Sequence, residues 1–408
     1  MTWFKNRQLR PAIWLLGLLT VMALARDILA NGRPLYCQVR GEAFFPALRA
    51  IWHGPDKPYG HPVLDSIQSG FRWRLHSYEA AVFAPIAFSP GELPSNPDTT
   101  VRQALPGSIH PGSRFRHWLG TDTEGHDVAA GMVGGARAAL LTGTLAMSIA
   151  FAIGLTLGAI AGYWGDGRLR VRRWQLWALL AGAPAAWFYA GTARHFLPDA
   201  SGVAAHWAAA LLMAGAVIGL FFLLGKALGR WAYFARTVAL PADLIIMRLA
   251  EVFTSIPGLL AIVAFAAMLR QQGQTLWAMT ALIGAFSWPG VALFVRAELL
   301  RVRELEYVTA ARGLGLTEWR ILFRHALPNA LRPTYTIFAF GVAGAILLEA
   351  SLSFLGYGDN NLVGATWGSL LQNARSSPQL WWISLPPGLA ICATILALHT
   401  VGEELGGK

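Results

Sequence analysis

The sequence predicts an all-α integral membrane protein, a polytopic helical bundle with about eight membrane helices. Of its 408 residues, 55% are apolar and only 13% are charged. The mean hydropathy of +0.44 is higher than that of ordinary soluble domains. A helix needs about 20 apolar residues to cross the hydrocarbon core. Windows of this kind lie near residues 12–30, 138–162, 174–193, 206–228, 244–269, 275–295, 334–355 and 381–401.

The first window is predicted to be an uncleaved membrane helix. It follows three basic residues and is interrupted only by Arg26 and Asp27. A cleaved signal peptide is the alternative interpretation, but no clear small-residue cleavage site follows the apolar run. Residues 1–30 are therefore predicted to form a cytoplasmic N-terminus and the first helix. The third and fourth windows contain Pro184 and many Ala and Gly residues, which weaken their helical signal.

The distribution of basic residues predicts how the chain is oriented. The net charge of +11 could indicate nucleic-acid binding, but the basic residues cluster at the ends of apolar runs, which fits the positive-inside rule better. The basic clusters lie before span 1 and after spans 2, 4 and 6, whereas the loops on the opposite side contain few Lys or Arg residues. We therefore predict a multi-pass membrane protein that contacts lipid, binds no nucleic acid and has both termini in the cytoplasm. The basic residues of the rich loops are Lys5, Arg7, Arg10, Arg168, Arg170, Arg172, Arg173, Lys226, Arg230, Arg236, Arg301, Arg303, Arg312, Arg320, Arg324 and Arg332.

Residues 31–137, between the first two spans, are predicted to form a small extracytoplasmic subdomain or a set of packed loops. They are too polar to cross the membrane and too long to be a linker. Their last part, HWLGTDTEGHDV, contains residue types that bind metals. Contiguous acidic residues in a Gly-rich turn favour turn formation over metal binding, so no metal site is predicted. The residues concerned are Asp122, Glu124, His126 and Asp127.

Motifs for nucleotide binding and catalysis do not fit this chain. The segment GLFFLLGKA has five residues between its glycines instead of four, and Ala227 stands where a Ser or Thr would bind magnesium. We predict no nucleotide site, no cofactor and no catalytic residue. A membrane-embedded enzyme is the rival hypothesis, and it would need a polar cluster at one depth.

Glu349 is the ionisable residue that the predicted seventh span places inside the membrane. A charge in hydrocarbon is costly and by default indicates function. Glu349, with Ser351 and Ser353 in the same span, is therefore a candidate for lining a translocation path. The alternative is that Glu349 pairs with a polar partner on a neighbouring helix and serves packing alone.

The stretch 296–333, between spans 6 and 7, is charged but has helical periodicity. Gly313 and Gly315 predict a turn between two short helices, and Pro328 is predicted to end the second helix. Small residues around the turn would let its backbone approach another protein surface closely. An amphipathic hairpin on the lipid headgroups is the alternative. The apolar stripes of the two helices are Tyr307, Ala310, Ala311 and Leu314, then Trp319, Leu322, Phe323 and Ala326.

This stretch resembles the EAA loop of ATP-binding-cassette (ABC) importer permeases, whose pattern is E-A-A, three residues, Gly, nine residues and I-x-L-P. The spacing fits at every position, but Thr309 replaces the glutamate and His325 the isoleucine, as in the peptide-importer branch. The resemblance implies that the loop is a coupling helix seated on a separate ATPase subunit. The residues that it assigns to coupling are Thr309, Ala310, Ala311, Gly313, Gly315, His325, Leu327 and Pro328.

Other segments resemble the same family in order along the chain. GARAALLTGTLA, GAIAGYWGD, MRLAEVFTSIPGLL, EASLSFLGYG, TWGSLL and PPGLAI are similar to the C-type permease of the dipeptide, oligopeptide and nickel family. ANGRPLYCQVRGEAFFPAL and FAPIAFSP are similar to the subgroup with a long first periplasmic loop, which is linked to oligopeptides and peptide-like microcins. The family has a type I importer fold with six helices.

The resemblance implies a transport subunit of the inner (plasma) membrane that has no ATPase site of its own and works with several partners. These are a second permease in a heterodimer, two ABC ATPases and a periplasmic or extracellular substrate-binding protein. The implied cargo is a dipeptide, an oligopeptide or a peptide-like compound. A nickel chelate or a peptide-like antibiotic is the alternative within the family, and an exporter is disfavoured by the EAA spacing.

Two regions depart from the family pattern. Residues 166–240 are inserted between the second and third family helices, after a helix predicted at 138–165, and are predicted to carry an additional membrane hairpin. Residues 241–401 form the predicted permease core with the EAA loop. The cytoplasmic tail at 402–408 differs from the family's usual ending, which places the family's C-terminal contacts in doubt.

Overall fold

The computed structural model describes residues 9–54, 57–69, 73–92, 101–110, 114–167, 170–189, 203–270, 276–358 and 364–406. The predicted basic residues Lys5, Arg7 and Arg168 lie outside these ranges, as do residues 190–193 of the third predicted span and residues 407–408 of the tail. The chain divides into two compact units. We call Met1–Gly158 with Ala250–Lys408 the main unit and Ala159–Leu249 the inserted unit.

The main unit begins with α1 (Leu9–Leu24) and the short α2 (Arg26–Leu29). A three-stranded antiparallel sheet follows, in the order β2-β1-β3, and its strands pack with the short helix Pro62–Ser69 around the buried Cys37, Leu64 and Trp73. A second antiparallel pair joins β4 to β5. These elements are β1 (Tyr36–Val39), β2 (Glu42–Phe44), α3 (Pro46–His53), α4 (Pro62–Ser69), β3 (Ala80–Val82), β4 (Ser108–Ile109) and β5 (Arg116–His117).

Four described helices are long and apolar enough to cross a membrane, which confirms the all-α polytopic class. One of them joins α5 (Val128–Ala159) to a π-helical turn (Ile160–Trp164), and another joins three successive segments from Glu318 to Phe354. The other two are α11 (Leu276–Val302) and the C-terminal α16 (Trp381–Gly406). The short α15 (Trp367–Arg375) packs against α16 and against α14 (Leu327–Phe354).

Among the described residues, fewer helices meet the length and hydropathy of a full membrane span than the eight that we predicted. The window at 244–269 is a bent pair, α9 (Ala242–Ser255) and α10 (Gly258–Arg270), whose axes differ by 78°. Pro257 lies at the bend, and its missing N–H and fixed φ account for the break. Counting this pair gives up to five spans among the described residues, while α1 has only 16 residues.

Helix α5 begins ten residues earlier than the predicted span at 138–162. The Asp127 carboxylate accepts a hydrogen bond from the Ala130 N–H at 2.7 Å, which caps the first turn. Arg137 then donates to the Asp27 carboxylate at 3.0 Å. Hydropathy could not show this extension, because the added turns contain glycine and a charged residue.

Small residues allow close helix crossings in the main unit. A Cβ added to Gly143 would lie 2.7 Å from Cγ1 of Ile346, and one added to Gly341 would lie 2.1 Å from the Met147 sulfur. Both positions bring α5 and α14 together. Close backbone approach is the usual basis of helix association in membranes, where the hydrophobic effect supplies little.

The inserted unit is a pair of helices closed at its base by a two-stranded ribbon. Strand β6 (Arg170–Arg172) pairs antiparallel with β7 (Thr237–Ala239). Between them lie α6 (Arg173–Trp187), α7 (Val203–Leu228) and the single turn α8 (Ala232–Ala235). The Trp174 ring contacts Phe222 of α7, with centroids 4.9 Å apart.

Candidate functional site

The loop between α11 and α14 contains one separate short helix and one that continues into the membrane. The first, α12, is Glu306–Gly313, as the pattern predicted. The second, α13 (Glu318–Ile321), passes through a π-helical turn (Leu322–Ala326) directly into α14 (Leu327–Phe354).

The prediction that Pro328 ends the second helix is therefore wrong. Pro328 is the second residue of α14. In the π-helical turn just before it, the Leu327 N–H donates to the carbonyl of Leu322, five residues back. A π-helical turn is one of the local adjustments that accommodate an irregularity inside a continuous helix. Hydrophobic periodicity in the sequence does not indicate such a π-helical turn.

Gly315 ends α12 in a left-handed conformation, with φ of +79°. The Gly315 N–H donates to Arg312 and the Leu316 N–H donates to Ala311, at 2.9 and 3.2 Å. These two bonds form a Schellman cap, which requires a residue with positive φ at this position. Gly313 is the last helical residue and has ordinary helical backbone, so the two glycines have different roles.

Two side-chain contacts tie the arms of the loop together. The Arg312 guanidinium donates through Nε to the Glu318 carboxylate at 3.1 Å, across the turn. The Asn329 amide donates to the Tyr307 hydroxyl at 3.0 Å and to the His325 carbonyl at 2.8 Å. The loop is thus an ordered elbow. Sequence reasoning missed both ties because their partners lie 6 and 22 residues apart.

One side of the elbow is buried and the other is exposed, and this division cuts across the predicted apolar stripes. Val308, Ile321, Leu322 and Ala326 are buried, and Ala311 is 7% exposed. The exposed side combines small residues with large apolar ones. Its members are Thr309, Ala310, Gly313, Leu314, Gly315, Trp319 and Phe323, which we call the elbow face.

The large apolar side chains of the elbow face are unusually exposed to solvent. Leu314 is 82% exposed, Trp319 61% and Phe323 60%. The rings of Trp319 and Phe323 stack on each other with their centroids 5.8 Å apart and their planes 10° from parallel. Exposed apolar clusters of this kind are typical of surfaces that bind another protein.

The remaining predicted coupling residues lie at the edge of this surface. His325 and Leu327 are half-buried and Pro328 is exposed. A pocket of about 390 Å³ lies beside the elbow, where Tyr307 and Asn329 meet Leu405 and Gly406 at the end of α16. The end of the last helix therefore lies against the base of the loop.

Glu349 lies in a closed polar network and not in an open channel. It is 4% exposed, and its carboxylate accepts a hydrogen bond from the Ser353 hydroxyl at 2.7 Å. The Thr366 hydroxyl also bonds to this carboxylate, while its oxygen accepts the Ser369 N–H and caps α15. Ser351 donates to the carbonyl of Leu347 in its own helix. This geometry corresponds to the packing alternative for Glu349.

The turn at residues 122–126 is built on one carboxylate, as the sequence predicted. One Asp122 oxygen accepts the N–H groups of Glu124, Gly125 and His126 at 2.8–2.9 Å. The other accepts from the His126 ring and from the Asn373 amide. Burial alone would raise the pKa of Asp122, but the bonds from His126 and Asn373 outweigh it and lower the pKa.

A buried histidine pair adjoins this turn. The His117 ring lies 2.8 Å from the Asp127 carboxylate and 3.2 Å from the ring of His110, and it stacks on Phe88. Burial lowers the pKa of His110 to about 4, and the nearby Arg74 contributes to the shift. The sequence did not reveal this cluster, because β4 and β5 must pair before the two histidines meet.

Comparison with known proteins gives a family match for the part of the chain that contains the elbow. Residues 227–403 match the family model described as the inner membrane component of binding-protein-dependent transport systems. This part of the chain is therefore a domain of that family of transport permeases. The predicted resemblance is thereby confirmed, and the chain is a transport subunit of the inner membrane, not an enzyme.

Three relatives extend this similarity over most of the permease. The peptidoglycan transport system permease protein YejE of Agrobacterium fabrum is 27% identical over 98% of this chain and 88% of its own length. The inner membrane ABC transporter permease protein YejE of Escherichia coli is 26% identical over 98% and 92%. The glutathione transport system permease protein GsiD of Pectobacterium atrosepticum is 27% identical over 73% of each chain. The family works with ATPase and substrate-binding partners.

Proposed function

We propose that this permease moves peptides or peptide-like compounds inward across the inner membrane. The relatives named for peptidoglycan and for glutathione support this class, because both compounds contain amino acids joined by peptide bonds. The motifs of the dipeptide and oligopeptide branch support the same class. A nickel chelate is the alternative cargo within the family.

We further propose that the elbow face is the docking surface for an ABC ATPase. The observation that carries this proposal is the exposed set of Leu314, Trp319 and Phe323, held beside the small residues Ala310 and Gly313. The small residues let the partner's backbone approach, and the apolar side chains bury surface against it. Thr309, Gly315, His325, Leu327 and Pro328 shape this surface, while Ala311 supports it from the buried side.

The proposed assembly contains a second permease as a heterodimer partner, two ATPases and an external binding protein. ATP-driven closure of the ATPase pair would move the elbow and, through the continuous helix Glu318–Phe354, the membrane helices. A transporter of this kind needs two packings of similar energy that the ATPases can bias. The proposed orientation has both termini in the cytoplasm, on the same side as the elbow.

In this conformation, we propose that Glu349 holds α14 against the start of α15 through Thr366, while Ser353 of the same helix orients the Glu349 carboxylate. The carboxylate has hydrogen-bond partners on both helices, so it is satisfied without a cargo. Ser351 remains the candidate of the three for the translocation path, because it is not part of this network.

A bulky residue on the elbow face tests the docking proposal. The exposed Ala310 has room for a larger side chain in the free permease, so Ala310→Trp is expected to insert normally but to lose ATPase co-purification and peptide uptake. The matched control is Ala235→Trp, at an exposed alanine of the inserted unit. Unchanged uptake and co-purification in Ala310→Trp would refute the docking surface.

Cargo class is tested separately by uptake in cells that lack other peptide importers. A mixture of short peptides is expected to compete with a labelled tripeptide, whereas a nickel chelate is not. Competition by the chelate alone would overturn the peptide proposal and leave the docking proposal intact.

A further inference from the structure

The inserted unit concentrates positive charge at the base of its helix pair. Asp199 is the one acidic residue between positions 167 and 236 of the sequence. Seven basic residues lie at the start of α6, near the end of α7 or in the sequence beside these two helix ends, namely Arg168, Arg170, Arg172, Arg173, Lys226, Arg230 and Arg236. A surface of this composition attracts anions.

Three of these cations line one pocket within the inserted unit. The pocket has a volume of about 490 Å³, and its walls include Arg172, Lys226 and Arg230 together with Trp174 and Leu223. Lys226 is in the last turn of α7, three residues after Leu223 and on the same side of the helix, and Arg230 lies two residues beyond the end of α7. All three cations are exposed, and within the described part of the chain none of them forms an ion pair with a carboxylate.

The shape of the pocket is defined by packing, which fixes its floor and one wall. Trp174 is 6% exposed and its ring lies against Gly225 of α7 and Gly229 just beyond it, where a Cβ on Gly229 would be 2.8 Å from Cδ1 of Trp174. Arg172 is held by the ribbon, since it pairs with Thr237 and the next N–H, of Arg173, donates to the Arg236 carbonyl at 3.0 Å.

The surroundings of the pocket are those of a membrane interface. Trp231 and Tyr233, just beyond α7, are 68% and 59% exposed. Exposed Trp and Tyr residues with nearby Lys and Arg are typical of the headgroup level of a bilayer. Leu220 and Leu223 are 55% and 66% exposed along α7 above this level. An apolar chain could therefore extend from the pocket along the helix.

We propose that this pocket binds the phosphate headgroup of an anionic phospholipid. Arg172, Lys226 and Arg230 hold the phosphodiester, and the exposed leucines of α7 contact an acyl chain. Basic pockets beside membrane helices on the cytoplasmic side are suited to such headgroups. The inference goes beyond the proposed transport function and rests on it only in placing the helix pair in the membrane.

Lipid binding is measured by native mass spectrometry of the full-length permease, purified in the complex that it forms on expression. Phosphatidylglycerol, phosphatidylcholine and inorganic phosphate are titrated separately. The wild type is expected to retain phosphatidylglycerol in preference to phosphatidylcholine. The variant Lys226→Gln/Arg230→Gln is expected to bind phosphatidylglycerol about 25-fold more weakly, at about fivefold for each basic residue near an anionic surface.

The matched control is Arg170→Gln/Arg236→Gln, which removes the same charge from the same end of the unit outside the pocket. This control is expected to keep its affinity for phosphatidylglycerol. An equal loss in both double variants would mean a diffuse charged surface and would overturn the pocket. No loss in either would mean that Lys226 and Arg230 serve only the C-terminal dipole of α7. Displacement of the lipid by equimolar inorganic phosphate would identify a small-anion site and overturn the lipid proposal.

Discussion

The elbow and the turn at residues 122–126 are two compact loops of the main unit that differ in which side chains they bury and which they expose. In the turn, the Asp122 carboxylate is 0% exposed and has hydrogen-bond partners at both oxygens. In the elbow, the backbone is capped internally while Leu314, Trp319 and Phe323 face outward. The turn thus completes its interactions within the chain, whereas the elbow leaves apolar surface for a partner.

This difference shows that residue chemistry alone does not identify a functional loop. The turn contains the residue types of a metal or catalytic site, namely acidic groups and histidines, but they serve to hold its own backbone. The elbow contains alanine, glycine and leucine, which carry no chemistry. Buried polar groups need partners wherever they lie. Exposed apolar clusters are uncommon unless something covers them.

The largest expected effect comes from breaking the cap of the elbow. Gly315→Val places a β-branched residue at a φ of +79°, at a cost of about 3 kcal/mol. We expect a loss of ATPase coupling of roughly 100-fold, since the same cost opposes the docked geometry. The measurement is peptide-stimulated ATPase activity of the reconstituted complex. Gly41→Val is the matched control, because Gly41 has the same φ of +79° and open space around an added Cβ but lies in the turn between β1 and β2 and not in the elbow. Equal effects of both changes would contradict the cap's role.

A smaller effect is expected from removing one exposed ring. Trp319 of the elbow and Trp118 beside the turn are 61% and 62% exposed, so exposure alone does not distinguish them. Trp319→Ala is expected to weaken ATPase binding by about 2 kcal/mol, or about 30-fold, as buried interface tryptophans do. Trp118→Ala is expected to leave it unchanged. The affinity of purified ATPase for the permease in nanodiscs measures both, and equal losses would remove the distinction between the two loops.

Local sequence signals predicted the parts of both loops that depend on local geometry. Gly315 indicated a turn because few other residues adopt positive φ, and Asp122 in a Gly-rich segment indicated a side-chain-supported turn. The presence of a short helix before the turn followed from its periodicity. These features depend on interactions within about five residues, which a single sequence displays.

Features that depend on distant partners were not predictable in the same way. The division of Trp319 and Leu322 between exposed and buried sides depends on which neighbours cover the elbow, although both belong to one apolar stripe. The π-helical turn that carries Pro328 within a continuous helix has no periodic signal. The Glu349 network needs Thr366, which becomes a neighbour only when α15 packs on α14.

Removing the Asp122 carboxylate should affect stability and leave docking unchanged. Asp122→Asn keeps an oxygen for the three backbone N–H groups but loses the charge opposite His126. We expect a loss of about 1 kcal/mol in the local opening free energy, because a hydrogen bond to a charged group is worth that much more than a neutral one. Hydrogen exchange of the amides at 124–126 measures this loss. Reduced ATPase affinity in Asp122→Asn would show that the turn is coupled to the elbow.

The smallest expected effect is a pH dependence of the same turn. Burial alone would lower the pKa of His126, but the Asp122 carboxylate and the nearby Glu124 outweigh it and raise the pKa. The stabilisation that His126 supplies is therefore fully present below its unfolded pKa of about 6.5 and is lost as the pH rises through the folded value.

The pKa shift of His110 has the opposite sign. Its pKa of about 4 means that protonation favours the unfolded state as the pH falls from about 6.5 towards 4.

Substitution separates these two contributions. His126→Gln is expected to remove the loss of amide protection that occurs on the alkaline side in the wild type, while leaving the loss on the acid side. Hydrogen exchange of the amides at 122–128, compared at matched intrinsic rates between pH 5 and 9 for wild type and variant, measures both sides. A wild-type turn whose protection does not fall on the alkaline side would contradict the His126 ion pair. Since both histidines lie in the self-contained turn region, ATPase affinity measured over the same range should not follow either titration.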